Sequence, residues 1–293
     1  MVTIEYWKYN MMYKGIFQIL RMHNLILGSL AVIISGYLLD YSINLLTAYS
    51  MLIVMIVMAI IYIMNDFLDI KSDQINHPER PLVTKDLSTK HIFYIISALL
   101  ALLFMLITQI NYYALQFLLI TILPLSIIYN IYLKKIPLIG NFVTSMLLGS
   151  IFFFSEMVMN QTNHILVLPF ILCTAFNFLR EMIKDMHDYE GDLSNNYCTA
   201  PIYFGKSIMN KIIIIYCFCL MLICLIPYFV FQVNISFLLL LIIIIEIPLL
   251  YSVFLLSKFP NKTTYKYLSD LLKYLCLGGL LIIVLTKDSN IYV

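Results

Sequence analysis

The chain has 293 residues, 62% of them hydrophobic and 12% charged, with 18 Lys and Arg against 16 Asp and Glu for a formal net charge of +2. Soluble domains carry roughly a quarter charged residues, so this composition excludes an ordinary soluble enzyme and indicates a polytopic membrane protein. The near-neutral total says little about partners; its distribution along the chain says more, and nothing in it points to nucleic acid or an obligate protein partner.

Glu5, Trp7 and Lys8 precede the first apolar run and read as an interfacial segment rather than a cleaved signal. A helical span needs about 20 apolar residues, and nine are expected: Ile16 to Leu39, Ile43 to Met64, His91 to Thr108, Tyr112 to Tyr132, Gly140 to Met159, His164 to Ile183, Ile208 to Phe231, Ile235 to Leu256 and Leu268 to Thr286. No strand is needed, so the fold class is all-α, a nine-helix membrane bundle forming one domain over 1–293. Six cysteines show no C-x-x-C pair, and all but Cys198 fall in apolar runs, where they read as small packing residues.

Lys and Arg in short loops stay on the cytoplasmic side. With the N-terminus inside, that side collects Lys71, Arg80, Lys85, Lys90, Lys134, Lys135, Lys206, Lys211, Lys258, Lys262 and Lys266, whereas the opposite loops around Asp40, Asn111, Gln161 and Asn234 carry none. Only Lys287 falls outside. The expectation is a multi-pass protein of the cell inner membrane, with its C-terminus outside.

Two loops on the inner face, about 65–90 and 184–207, are rich in carboxylates. Asp66, Asp69 and Asp73 are spaced i, i+3, i+7, and Asp185, Asp188 and Asp192 repeat that spacing 119 residues later. If the preceding helix continues, each triad falls within roughly a 60° arc of one face. Three like charges on one stripe repel unless a cation sits among them, and such oxygen ligands suit Mg²⁺ shared with a phosphorylated substrate. The common offset suggests a parallel repeat of four spans plus one, which would bring the two loops face to face. Two opposed triads at a membrane mouth can hold Mg²⁺ ions that bind a diphosphate, and a prenyl diphosphate has the greasy tail such a site would accommodate.

Asn65-Asp66-x-x-Asp69-x-x-x-Asp73, followed by Asn76-His77-Pro78-Glu79-Arg80-Pro81-Leu82, resembles the first signature of the UbiA-type intramembrane prenyltransferases. Lys184-Asp185-Met186-His187-Asp188-Tyr189-Glu190-Gly191-Asp192 is similar to the second, and Thr199, Pro201 and Gly205 resemble the stretch after it. Tyr129 to Lys134 and Pro137 to Asn141 are similar to the family's connection before the fifth helix. The resemblance covers nearly the whole chain. It implies that Asn65 and the six aspartates bind Mg²⁺, that Arg80, Lys134 and Lys184 grip diphosphate oxygens, and that Tyr129 donates to the phosphate or faces the carbocation. Asn141 joins these as a substrate-binding candidate. Cys198 stands where the family often has a basic residue, and Val83-Thr84-Lys85 replaces its common Pro-Ser-Gly.

The implied reaction is transfer of a polyprenyl group from its diphosphate to an acceptor. The motif forms are nearest to enzymes that prenylate geranylgeranylglyceryl phosphate, with aromatic acceptors of quinone or chlorophyll pathways as the alternative. A transporter or cation-handling protein is a reading from another class, but it would want charged residues along a path through the bilayer.

Arg21 and Asn24, one turn apart, either reach the cavity from the side or snorkel to headgroups. Glu246, near the middle of the eighth span, is either functional or a protonated carboxyl bonded to a neighbouring helix. His77 and His187 read as solvated loop histidines.

Overall fold

The computed structural model describes residues 12–160, 165–231, 234–285 and 287. The interfacial residues Glu5, Trp7 and Lys8 lie outside these, as do Gln161, His164 and the C-terminal residues after Lys287. The described residues are helical, with no strand. In chain order they are α1 (Met12–Leu20), α2 (Met22–Leu38), α3 (Leu45–Leu68), α4 (Ile70–Asn76), α5 (Thr89–Ile107) and α6 (Tyr112–Ile131). There follow α7 (Ile139–Val158), α8 (Val167–Ser194), α9 (Ala200–Phe204), α10 (Lys206–Phe231), α11 (Ile235–Lys258) and α12 (Lys262–Leu285).

Seven of these helices are long and apolar enough to cross a membrane, or eight if the bent pair α1–α2 is one span. The sixth expected span falls on α8, whose apolar start continues into a charged second half, so length and composition do not select it. The bend between α1 and α2 is 43°. It sits at Arg21, which takes a left-handed conformation (φ 52°) that costs a non-glycine residue energy and is kept only where surrounding contacts hold it.

Helix starts follow local chemistry. Asn44 caps α3 by accepting from the amides of Leu46 and Thr47, and Ser88 and His91 form a reciprocal box at the start of α5. Asn111 caps α6 and also donates to the carbonyls of Met157 and Val158, tying the start of α6 to the end of α7.

Two helices share an irregularity. In α6 a π-helical turn, Phe117–Ile122, comes just before Pro124; in α11 a π-helical turn, Ile242–Glu246, comes just before Pro248. A proline ring displaces the carbonyl it would otherwise meet and lacks an N–H, and a widened turn absorbs the mismatch.

Two large cores run through the bundle, one built mainly on α2, α3, α6 and α7 and the other on α8, α10, α11 and α12, and a small third one joins Ile19, Ile63, Leu87 and Ile92. The helices α7 and α8 pack along their length, and α12 packs against α8 and α2. At the end of the bundle away from the acidic segments, Lys287 donates to the Asp40 carboxylate and the Tyr37 carbonyl. Cys217 and Cys224 are buried and Cys173 and Cys276 half-buried, as packing residues should be, whereas Cys198 and Cys219 are exposed.

Candidate active site

The first acidic segment is a kinked helix. The α3 hydrogen bonding runs through the break at Asp69 (φ −100°, ψ 10°), since Asp69 N–H donates to Asn65 and Asp73 N–H to Asp69 at 3.0 and 2.9 Å. Asp66 and Asp73 are buried, with side chains only 4% and 6% exposed. The second segment belongs to one continuous helix, because α8 runs on to Ser194.

One residue locks the segments together. Asn76 Nδ2 donates to the Asp188 carbonyl at 2.7 Å, and Asn76 Oδ1 accepts from the Gly191 N–H at 3.1 Å. Gly191 is required here, since a Cβ at that position would lie 2.3 Å from Asn76 Nδ2. Ser72 Oγ faces Asp192 at 3.4 Å across the same contact. Asn76 was visible in the sequence only as a member of a motif; its partners lie more than a hundred residues away.

The carboxylates of the first segment meet cations. Asp66 Oδ1 accepts from Arg21 at 2.5 Å and from Arg80 at 3.1 Å, Asp73 from Arg80 at 2.5 Å, and Asp69 from Lys134 at 2.5 Å and from the Tyr197 hydroxyl at 3.1 Å. Arg21 thus reaches inward rather than to headgroups, its guanidinium also lying 4.9 Å from the centre of the Tyr62 ring. The second segment meets an amide and two imidazoles: Asn141 donates to Asp185 at 2.8 Å, and His187 and His77 approach Asp188 at 2.6 and 3.3 Å.

Burial raises the Asp73 carboxyl to about 6 despite the opposing Arg80, and raises Asp192 to about 7 with Asp188 adding to the shift. Asp188 goes the other way. Although burial works against it, hydrogen bonds from His187 and His77 hold its carboxyl below the usual range.

The two histidines correct the expectation of solvated loop residues. Their side chains are 22% and 13% exposed, their rings stack with centroids 5.8 Å apart, and ligand atoms of His77, His187 and Asp188 lie within 4.8 Å of one another. A separation of 110 residues hid this contact.

A polar cavity lies between the segments. Asn65, Asp69, Asp73, Asp185, Asp188, Asp192, Arg80, Tyr129, Lys134, Asn141 and Lys184 all line it, together with Glu181, Tyr197 and Thr199. Asp66 stands behind this wall, held by Arg21 and Arg80. Arg21 and Asn24 line a second, largely apolar cavity that runs down between α2, α3, α6 and α7 past Ile53, Val57 and Ile122. Asn65, Tyr129, Glu181 and Lys184 line both cavities and form the junction.

Sequence reasoning missed Glu181 and Tyr197 as site residues. Glu181 pairs with Arg180 at 2.8 Å and Lys184 at 3.7 Å, and Tyr197 lies beneath Lys134 and Lys135 with its ring centre 5.6 and 5.4 Å away. The i, i+3 spacing of Glu181 and Lys184 was the available signal. Glu246 lines neither cavity; it is buried in α11 with Oε1 lacking a hydrogen-bond partner.

Similar proteins share the sequence pattern and the fold. A digeranylgeranylglyceryl phosphate synthase of Methanocaldococcus jannaschii is 32% identical over 264 residues, which cover 89% of this chain and 91% of that protein. A solved structure described as giving insights into the biosynthesis of digeranylgeranylglyceryl phosphate synthase in membranes superposes with a TM-score of 0.69 at 30% identity, over 94% of this chain and 98% of that one. A UbiA homologue from Archaeoglobus fulgidus bound to GPP and Mg²⁺ shares the fold, with a TM-score of 0.62 at 17% identity over 92% and 99% of the two chains. The model of the UbiA prenyltransferase family matches residues 23–276, and a chain that also folds its two acidic segments around one cavity in a multi-pass helical bundle belongs to that family.

Proposed function

We propose that this protein is a Mg²⁺-dependent prenyltransferase that moves a polyprenyl group from its diphosphate to the hydroxyl of geranylgeranylglyceryl phosphate, forming an ether lipid. The observation that carries the reading is the junction of a carboxylate-lined polar cavity with a long apolar one. The names of the relatives support the acceptor, and the family supports the transfer.

The polar cavity suits divalent ions. Six carboxylate side chains line it against three cationic ones, Arg80, Lys134 and Lys184, and hard oxygen donors of this kind favour Mg²⁺. Asn65, Asp69 and Asp73 would hold it on one side and Asp185, Asp188 and Asp192 on the other, with Asp66 joining the first group once Arg21 and Arg80 release it. Bound Mg²⁺ supplies charge neutralisation for the departing diphosphate. Arg80 and Lys134, which rest on Asp73 and Asp69 here, turn to the diphosphate oxygens as charge-assisted donors. Tyr129 closes the junction, and the apolar wall keeps water from the allylic carbon as its bond to oxygen breaks. The acceptor hydroxyl oxygen then bonds to that carbon, and its proton passes to the released diphosphate.

The finer architecture follows the same reading. Nine spans result when α1–α2 counts as one and the apolar start of α8 as another. The paired π-turn and proline in α6 and α11 support a repeat of spans one to four in five to eight, and the Lys287–Asp40 pair supports an outward C-terminus. The acidic segments then face the cytoplasm at the inner membrane, within a single domain.

The test is incubation of purified protein with labelled geranylgeranyl diphosphate, the phosphorylated acceptor and Mg²⁺, with product identified by mass. Ether product that disappears with chelator and returns with Mg²⁺ is the expected result. Transfer only to an aromatic acid would overturn the acceptor assignment.

A further inference from the structure

A third cavity opens beside the apolar one, between α2, α7, α8 and α12. Its walls are mostly hydrophobic, including Leu27, Ile151, Leu277 and Leu280, yet two cations, Arg180 and Lys273, line it as well. Lys273 is the twelfth residue of α12, about 16 Å along that helix from Lys262. A cation at that depth is costly unless an anion meets it, and marks a functional position by default.

Neither cation is fully used by the protein. Arg180 Nη1 bonds Glu181 at 2.8 Å, but its Nε is buried with no hydrogen-bond partner. Lys273 pairs with Asp270 at 3.3 Å, a contact between partly exposed groups, 38% and 53%, on one helix turn, and such pairs contribute little. Asn24 and Asn177 add polar groups to the same wall. Asn24 and Arg180 also line the cavity assigned to the prenyl donor, so the two compartments meet near the junction.

From these contacts we infer that Arg180 and Lys273 form the subsite for the phosphate monoester of the acceptor, with the acceptor's isoprenoid tail lying along α2 and α12. The inference rests on the function proposed above and adds which residues read the acceptor's charge. A phosphate monoester carries the compact double charge that two cations can share, and Arg180 offers it an N–H that has no other use. The hydrophobic walls match a tail, and their position separates the acceptor from the polar cavity where diphosphate leaves. Arg180 and Lys273 are thereby positioning residues. Their charge holds the glyceryl head near the junction so that its hydroxyl faces the allylic carbon.

The experiment compares kcat/KM for the phosphorylated acceptor with that for the same glyceryl ether lacking its phosphate. Wild-type protein is expected to prefer the phosphorylated form. Lys273→Met should cut that preference about tenfold through a raised KM, the scale of one charge-assisted hydrogen bond, whereas Lys273→Arg should retain most of it. Arg180→Gln should act in the same direction. An equal loss toward both acceptors, or an unaltered preference, would overturn the subsite. Wild-type protein inert toward both would overturn the acceptor assignment of the previous subsection along with it.

Discussion

The two acidic segments carry the same aspartate spacing and yet solve the problem of buried charge in opposite ways. In the first, on the kinked α3–α4, each carboxylate rests on a cation: Arg21 and Arg80 on Asp66, Arg80 on Asp73, Lys134 on Asp69. In the second, on the unbroken α8, the partners are an asparagine amide, two imidazoles and a serine hydroxyl. The first segment is therefore electrostatically satisfied by groups that can let go when a substrate anion arrives. The second has no lysine or arginine in direct contact with Asp185, Asp188 or Asp192 among the described residues; Lys184 lines the same cavity, and burial pushes Asp192 up toward protonation. Under the proposed function, the first side frees its carboxylates for metal by handing its basic residues to a diphosphate, whereas the second offers carboxylates that pair with no lysine or arginine among the described residues.

The largest effect should come from removing ligands on both sides. Asp66→Ala and Asp185→Ala are each expected to lower turnover at least ~10³-fold, the scale of losing a transition-state charge stabiliser, with the folded fraction judged by size exclusion unchanged. Near-full activity in either variant would break the comparison at its root. Arg80→Ala should raise KM for the prenyl diphosphate about 10- to 100-fold, as expected for a charge-assisted contact worth ~1.5–3 kcal/mol, while KM for the acceptor stays within about twofold. A matching rise for the acceptor would mean that Arg80 only props up Asp66 and Asp73.

Gly191→Ala forces a methyl group into Asn76 and should open the latch between the segments. We expect a loss of about 1–3 kcal/mol in stability, the range for overpacking a tight contact, read as a lower thermal midpoint in detergent together with weaker Mg²⁺ dependence of rate. His187→Gln is the mildest change. Removing one hydrogen bond to Asp188 should cost about 1 kcal/mol, near fivefold in kcat/KM; a loss as deep as that of Asp185→Ala would show that the second segment also depends on a cation.

Much of this was legible in the chain. Hydropathy located the helices because partition into lipid depends on composition alone, and the doubled i, i+3, i+7 spacing found the aspartates because one helix face imposes it. What stayed hidden depends on azimuth and long-range contact. The turn of Arg21 into the cavity comes from a left-handed residue that no pattern announces, and the bond between Asn76 and Gly191 joins positions 115 apart. His77 and His187 looked like loop residues because each is polar among polar neighbours; only the docking of α4 on α8 brings them together. Glu181 fell inside what read as a span, where its pairing with Arg180 could not be seen.

The place of α12 has a consequence for biogenesis. This final helix closes the bundle against α2 and α8, and the cavity lined by Lys273 has no fourth wall without it. A ribosome that has released everything up to residue 261 has made both acidic segments and the walls of the first two cavities but not the wall that completes the third. The cavity lined by Lys273 therefore closes only when α12 docks on α2 and α8, after the apolar cavity beside it already has its walls.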